Sequence, residues 1–187
     1  MNERTVPVFI FRRRNDLDFN KLNSEISPPD EAFMEIAAAR WNSIAKPVGS
    51  LGLLEDAVIK IAGITGAEPD IEKRSVIVLC SDNGVVSEGV ASTPADITAV
   101  MAEFIAQGRS SVGIMAKCAN ARVVAVDMGM MREVDTQNLL DRRIARGTMS
   151  MMRGPAMTIE QTVAAIQAGI DLVKSCKESG DNIVATG

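Results

Sequence analysis

Two different hydrophobic periods follow one another along the chain. Phe33, Ala37, Trp41 and Ile44 recur at intervals of four, four and three residues, the stripe of one helix face, and predict a helix over about 31–45. Pro47 stops it, and Lys46-Pro47-Val48-Gly49-Ser50 forms a loop in which Ser50 reads as the cap of a second helix. Leu51, Leu54, Val58 and Ile61 share that helix's apolar face, with Gly63 and Gly66 ending it. The pattern then changes. Val76-Ile77-Val78-Leu79-Cys80 is continuously apolar and mostly β-branched, as a strand covered on both faces should be. Arg122-Val123-Val124-Ala125-Val126-Asp127 repeats it, and Asn182-Ile183-Val184-Ala185-Thr186-Gly187 starts a third strand. Between strands, Thr93 reads as a cap ahead of Pro94 at a helix's first position, with Asp96 near its third. Thr158 with Gln161 forms a capping box, opening a helix that presents Val163, Ile166, Ile170 and Val173 on one face. Upstream, Val6 to Phe11 is compatible with a short strand inside an irregular stretch reaching Pro28-Pro29.

Apolar strands alternating with helices predict an α/β fold, a doubly wound (Rossmann-like) parallel sheet. Residues 1–66 read as an N-terminal arm with small helical elements, and 67–187 as the first part of the α/β domain. The sheet is expected to be incomplete in this chain, because a domain ending on a buried strand and a bare glycine is expected to continue. Ligands of such sheets bind outside the carboxyl ends of the strands. The loop Ser81-Asp82-Asn83-Gly84 and the Asp127 to Gly129 segment occupy those positions.

Composition narrows the chemistry. Among 187 residues there is no histidine and no tyrosine, which excludes His-based triads and most zinc or non-haem iron sites. General acid–base work is left to carboxylates, lysines or cysteines. The three cysteines, Cys80, Cys118 and Cys176, are scattered, as expected for a reducing, cytoplasmic setting without a disulfide framework. A net charge of −4 without a basic stripe argues against nucleic acid, and no apolar run approaches the roughly 20 residues of a membrane span. Phosphate-loop, dinucleotide-binding and nucleophile-elbow glycine motifs are all missing.

Longer strings carry more information. Lys46-Pro47-Val48-Gly49-Ser50-Leu51-Gly52 with Leu54-Glu55, then Asp82-Asn83-Gly84-Val85 with Glu88-Gly89-Val90, then Thr93-Pro94 and Thr98, then Asp127-Met128-Gly129, then Arg146-Gly147-Thr148 and Gly154-Pro155-Ala156-Met157-Thr158 occur in this order. In that order they resemble the signatures of the nicotinate-nucleotide:dimethylbenzimidazole phosphoribosyltransferase family, over about 40–160. Each string also has a plainer reading. Lys46 to Ser50 serves as a helix connector, Asp82-Asn83-Gly84 as a turn and Thr93 as a cap. Of eleven methionines, seven cluster, at Met128, Met130 and Met131 and at Met149, Met151, Met152 and Met157, and either fill the core or line a slot for an aromatic base.

The resemblance implies transfer of phosphoribose from nicotinate mononucleotide to 5,6-dimethylbenzimidazole or a related base, without cofactor or metal, by a homodimer. It implies a base pocket drawing on Asp82, Asn83, Gly84, Thr93 and Met101. Met101 stands where the family commonly has a glutamine, which puts the identity of the base in question. It places the catalytic glutamate and the phosphate loops beyond Gly187, so no catalytic residue is expected within the chain. A non-catalytic α/β binding module, or one subunit of a split enzyme, are the competing expectations.

Overall fold

The computed structural model describes residues 18–187, and the short strand expected over Val6 to Phe11 lies outside them. Three helices come first, α1 (Phe19–Ser24), α2 (Glu31–Ser43) and α3 (Leu53–Thr65). There follow β1 (Arg74–Ser81), a 3-10 turn (Gly84–Glu88), α4 (Ile97–Ala106), α5 (Ser111–Cys118), β2 (Arg122–Gly129), β3 (Leu139–Asp141), α6 (Ile159–Glu178) and β4 (Ile183–Thr186). The four strands form one sheet in the order β3-β2-β1-β4, and every pairing is parallel. Ser75 lies opposite Arg122 and Cys80 opposite Asp127; the register then slips, so that Ser81 meets Gly129.

Alternation along the strands divides the core between the two faces of the sheet. Val78, Cys80 and Ala125 point to one face and join Ala99, Ala102 and Ile105 of α4. Ile77, Val124 and Val126 point to the other and join Leu172 and Cys176 of α6. A parallel sheet with helices packed on both faces is the doubly wound arrangement expected from the sequence, although β4 is largely exposed and Leu79, expected on a strand covered on both faces, is 40% exposed. The alanines of α4 let that helix approach the pleat closely, and Ala99 and Ala102 are both essentially inaccessible.

Several local expectations are corrected. The capping box at Thr158 forms as expected, but α6 buries Ala168, Leu172 and Cys176. Of the four residues expected to share one face, Ile166 and Val173 are 36% and 48% exposed, whereas Val163 and Ile170 are half-buried. The apolar stripe of α6 is broad, so periodicity alone does not locate its centre. Thr93 does not cap a helix. The helix begins at Ile97, and the residue before it, Asp96, is itself helical (φ −64°, ψ −17°). Its leading amides are satisfied by a turn instead, Ile97 N–H donating to the Pro94 carbonyl (3.3 Å) and Thr98 N–H to that of Ala95 (3.1 Å). Thr93 is exposed beside this turn.

Ser50 is likewise not the cap of α3. Gly52 holds that position with φ +52° and ψ −129°, a conformation that side chains oppose. The string from Lys46 to Glu55 is a clasp around this turn. Lys46 Nζ donates to Glu55 Oε1 at 2.7 Å, the Leu51 N–H donates to the same oxygen at 3.1 Å, and Lys46 lies 5.4 Å from the centre of the Trp41 ring. The Lys46 hydrogen bond and the Leu51 amide hold the Glu55 carboxyl below the usual carboxylate range.

Candidate functional site

All four strands end along one edge, and the polar segments after β1, β2 and β3 are tied together there. Asp82, directly after β1, is 5% exposed. Its Oδ2 accepts the Met131 N–H at 2.8 Å, its own N–H donates to the Gly129 carbonyl at 3.0 Å, and its carbonyl accepts the Thr148 N–H at 3.0 Å. Gly84 N–H donates to Thr148 Oγ1 at 3.2 Å. The segment 146–150 is thereby stitched across the ends of β1 and β2.

Gly84 is a glycine because this segment lies against it. A Cβ there would sit 2.4 Å from the Thr148 carbonyl oxygen. Asn83 between the two is exposed, its carbonyl accepting the Val86 N–H that winds the 3-10 turn. Glu88 closes that turn and accepts from Arg153 Nε at 2.9 Å.

A second knot sits at the end of β2. Asp127 is 3% exposed. Its Oδ1 accepts the N–H groups of Gly129 and Met130 at 3.0 and 2.8 Å. Its Oδ2 takes Arg143 side-on, Nε at 3.0 Å and Nη2 at 2.7 Å. Arg143 also donates to Glu133 at 3.0 Å, and Glu133 accepts in turn from Arg146. Hydrogen bonding to Asp127 pushes the Arg143 guanidinium pKa up. Burial, and secondarily the charge of Asp127, pushes the Cys80 thiol up, which leaves it a poor nucleophile.

Of the five candidate base-binding residues, Asp82 and Gly84 are brought together through Thr148, with Asn83 exposed between them. Thr93 lies in the exposed link to α4, and Met101, on α4, is 41% exposed. Among the described residues no side-chain hydrogen bond joins Thr93 to the Asp82 to Gly84 segment. The clustered methionines differ in burial. Met130 is fully buried and fills the core, whereas Met131, Met149, Met151 and Met152 are 54%, 72%, 63% and 72% exposed. Sequence reasoning misses the tether made by Thr148 and the Arg143–Glu133 pair. Arg143 is separated from Asp127 by β3, and no short motif joins them.

Among the described residues no group of three His, Cys, Asp or Glu side chains is placed to hold a metal ion. No described helix is long and apolar enough to cross a membrane.

A doubly wound parallel sheet with polar, glycine-bearing loops laced across its carboxyl edge defines an α/β domain of the class whose ligands bind over the strand ends. The model of a family described as phosphoribosyltransferase matches residues 26–187. The nicotinate-nucleotide–dimethylbenzimidazole phosphoribosyltransferase of Clostridium tetani is 39% identical over 163 residues, which cover 87% of this chain and 45% of that protein. The protein of the same name from Geobacter sulfurreducens is 40% identical over 166 residues, covering 88% and 47%. The crystal structure of that phosphoribosyltransferase from Thermus thermophilus superposes with a TM-score of 0.79 at 30% identity, covering 84% of this chain and 48% of the other. The chain belongs to this phosphoribosyltransferase family. It spans about half the length of the curated relatives it matches.

Proposed function

We propose that the chain forms the base-binding side of a cytoplasmic phosphoribosyltransferase. In this reading the enzyme moves phosphoribose from nicotinate mononucleotide to 5,6-dimethylbenzimidazole or a related lower-ligand base in cobamide synthesis. A ring nitrogen of the base attacks the anomeric carbon on the face opposite nicotinate. The nitrogen–carbon bond to nicotinate breaks, and a carboxylate takes the ring proton, giving α-ribazole phosphate and free nicotinate. Holding both substrates in line supplies much of the acceleration.

The observation that carries this reading is the rigid seat of Asp82 to Gly84 at the carboxyl edge. Asp82 is locked by the Met131 amide and Gly84 by Thr148, while Asn83 stays exposed. Asn83, Thr93 and Met101 are accessible and are the proposed contacts of the base, with Asp82 and Gly84 shaping the seat. The proton acceptor is proposed to lie outside these 187 residues, and the chain to be divided into residues 1–66 and 67–187.

Two outcomes are expected. The chain mixed with both substrates releases no nicotinate above background by chromatography, and turnover would overturn the placement of the proton acceptor. Titrated with 5,6-dimethylbenzimidazole alone, it binds, and Thr93→Asn weakens binding by about tenfold. Thr93 is exposed and caps nothing, so stability should stay within about 0.5 kcal/mol. Unchanged affinity in Thr93→Asn would remove that residue from the pocket.

The enzyme is also proposed to be a homodimer. Phe33, Ile36 and Ile44 are 37%, 65% and 46% exposed around an apolar groove between α2 and α3, and contiguous exposed apolar surface is what a second subunit would cover. Sedimentation equilibrium at tens of micromolar is expected to give the dimer mass, and a monomer would contradict it.

A further inference from the structure

At the opposite, amino-terminal edge of the sheet lies a shallow, open basin of about 490 Å³. Lys73 and Arg74 reach it from the start of β1, Arg122 from the start of β2, Lys117 and Asn120 from the end of α5, and Asp181 from the turn before β4. Glu72 is its other carboxylate. Four cations against two carboxylates give the basin a formal charge of +2, on a chain whose net charge is −4.

The carboxylates do not neutralise these cations evenly. Asp181 is committed to Arg122, which also donates toward Cys176 Sγ at 3.9 Å. Among the described residues, Lys73, Arg74 and Lys117 form no ion pair. Arg74 Nε is buried without a hydrogen-bond acceptor, the single such side-chain atom among the described residues. Lys117 sits in the last turn of α5, where the helix dipole favours a cation. That accounts for Lys117 alone, since Lys73 and Arg74 belong to no helix. Among the described residues, Glu72 is the one carboxylate of the basin outside an ion pair, so three unpaired cations face a single uncommitted anion, and a bound anion between them would relieve the remaining repulsion.

The geometry points to an anion-binding site at this edge that takes the phosphate group of a small phosphorylated molecule. A phosphate offers several oxygens to two ammonium groups and a guanidinium at once, which is the pairing that charge-assisted hydrogen bonds favour. An extended polyanion is disfavoured, because the rest of this acidic chain repels it. The site lies at the opposite edge of the sheet from Asp82 to Gly84 and does not depend on what binds there.

Calorimetric titration of the chain with inorganic phosphate, at low ionic strength and against chloride of matched ionic strength, tests the assignment. One saturable site is expected. Lys73→Ala/Lys117→Ala changes only exposed side chains and should weaken phosphate by at least about tenfold, while its melting in phosphate-free buffer stays at or above that of the parent. Thr93→Asn, at the other edge, should bind phosphate as the parent does. Ribose 5-phosphate serves as a second ligand: tighter binding than phosphate indicates a phosphate ester, and equal binding the bare anion. No saturable binding, equal affinity in the double variant, or loss of the signal in matched chloride would each overturn the site.

Discussion

Asp127→Ala is expected to lower the unfolding free energy by about 3–5 kcal/mol, the range seen when one partner of a buried ion pair is removed. The carboxylate holds two backbone N–H groups, those of Gly129 and Met130, on one oxygen and the side-on Arg143 guanidinium on the other. The Asp127 and Arg143 side chains are only 4% and 17% exposed. Truncation leaves both amides without an acceptor and Arg143 with only Glu133, which is 66% exposed and correspondingly screened. Asp127→Asn separates the two roles. Its amide oxygen can still accept the two N–H groups, but its NH₂ then faces the Arg143 donors, so an intermediate loss is expected. Asp127→Leu/Arg143→Met removes the pair together, and its loss should be smaller than the sum of the two single losses. Urea unfolding midpoints for these variants, with Asp127→Leu and Arg143→Met made singly, check this order. A loss below about 1 kcal/mol for Asp127→Ala, as for an exposed pair, would mean that the knot does not hold the end of β2.

The same residue shows what is legible in the sequence and what is not. That Asp127 ends a buried strand can be read from Val123 to Val126, because a strand covered on both faces leaves a continuous apolar run. Its partner cannot, since Arg143 comes 16 residues later, across β3. That three-residue strand, Leu139–Asp141, is too short to give a periodic signal. The helix α5 escapes for a related reason: eight residues, Ser111–Cys118, with a glycine inside, are a weak pattern, although Ser110 does cap it through the Gly113 N–H.

Thr93-Pro94 misleads in the opposite direction. Its local chemistry is that of a helix start, yet a turn intervenes and the helix begins three residues beyond the proline. Thr158, with the same cap chemistry plus a reciprocal Gln161, does open its helix. The difference is that a capping box specifies two hydrogen bonds at once, whereas a lone Thr-Pro specifies neither. The Lys46 to Glu55 string is legible as a connector, but not as a clasp closed by an ion pair spanning nine residues.

The candidate site divides in the same way. Asp82-Asn83-Gly84 can be placed at the carboxyl edge from strand polarity alone. The reason for Gly84 cannot be read, because the turn chemistry that Asn-Gly suggests is not what requires a glycine there. The 146–150 segment pressed against it comes from more than sixty residues downstream, and only the folded chain brings the two together.

Gly84→Ala is expected to cost about 3 kcal/mol, at the upper end of what inserting a methyl into a filled space usually costs. Its Cβ would lie 2.4 Å from the Thr148 carbonyl oxygen, 2.6 Å from the Met149 carbonyl carbon and 2.7 Å from the Ser150 nitrogen. All three are backbone atoms, so no side-chain rotamer can relieve the contact. The segment is also tethered at the clash, by the Thr148 N–H to Asp82 and the Met149 N–H to Ala156, at 3.0 and 2.9 Å. Two other glycines calibrate the measurement. Gly89 has φ +78°, but a methyl added there would meet nothing within 4 Å, so Gly89→Ala carries only the left-handed backbone penalty of about 1–2 kcal/mol. Gly169, within α6, has open space and an ordinary φ, so Gly169→Ala should stabilise by about 0.5–1 kcal/mol through helix propensity. Denaturant midpoints should therefore fall in the order Gly169→Ala, parent, Gly89→Ala, Gly84→Ala. If Gly84→Ala proved no worse than Gly89→Ala, the 146–150 segment would not be seated on β1's end, and the rigid seat proposed for the aromatic base would lose its support.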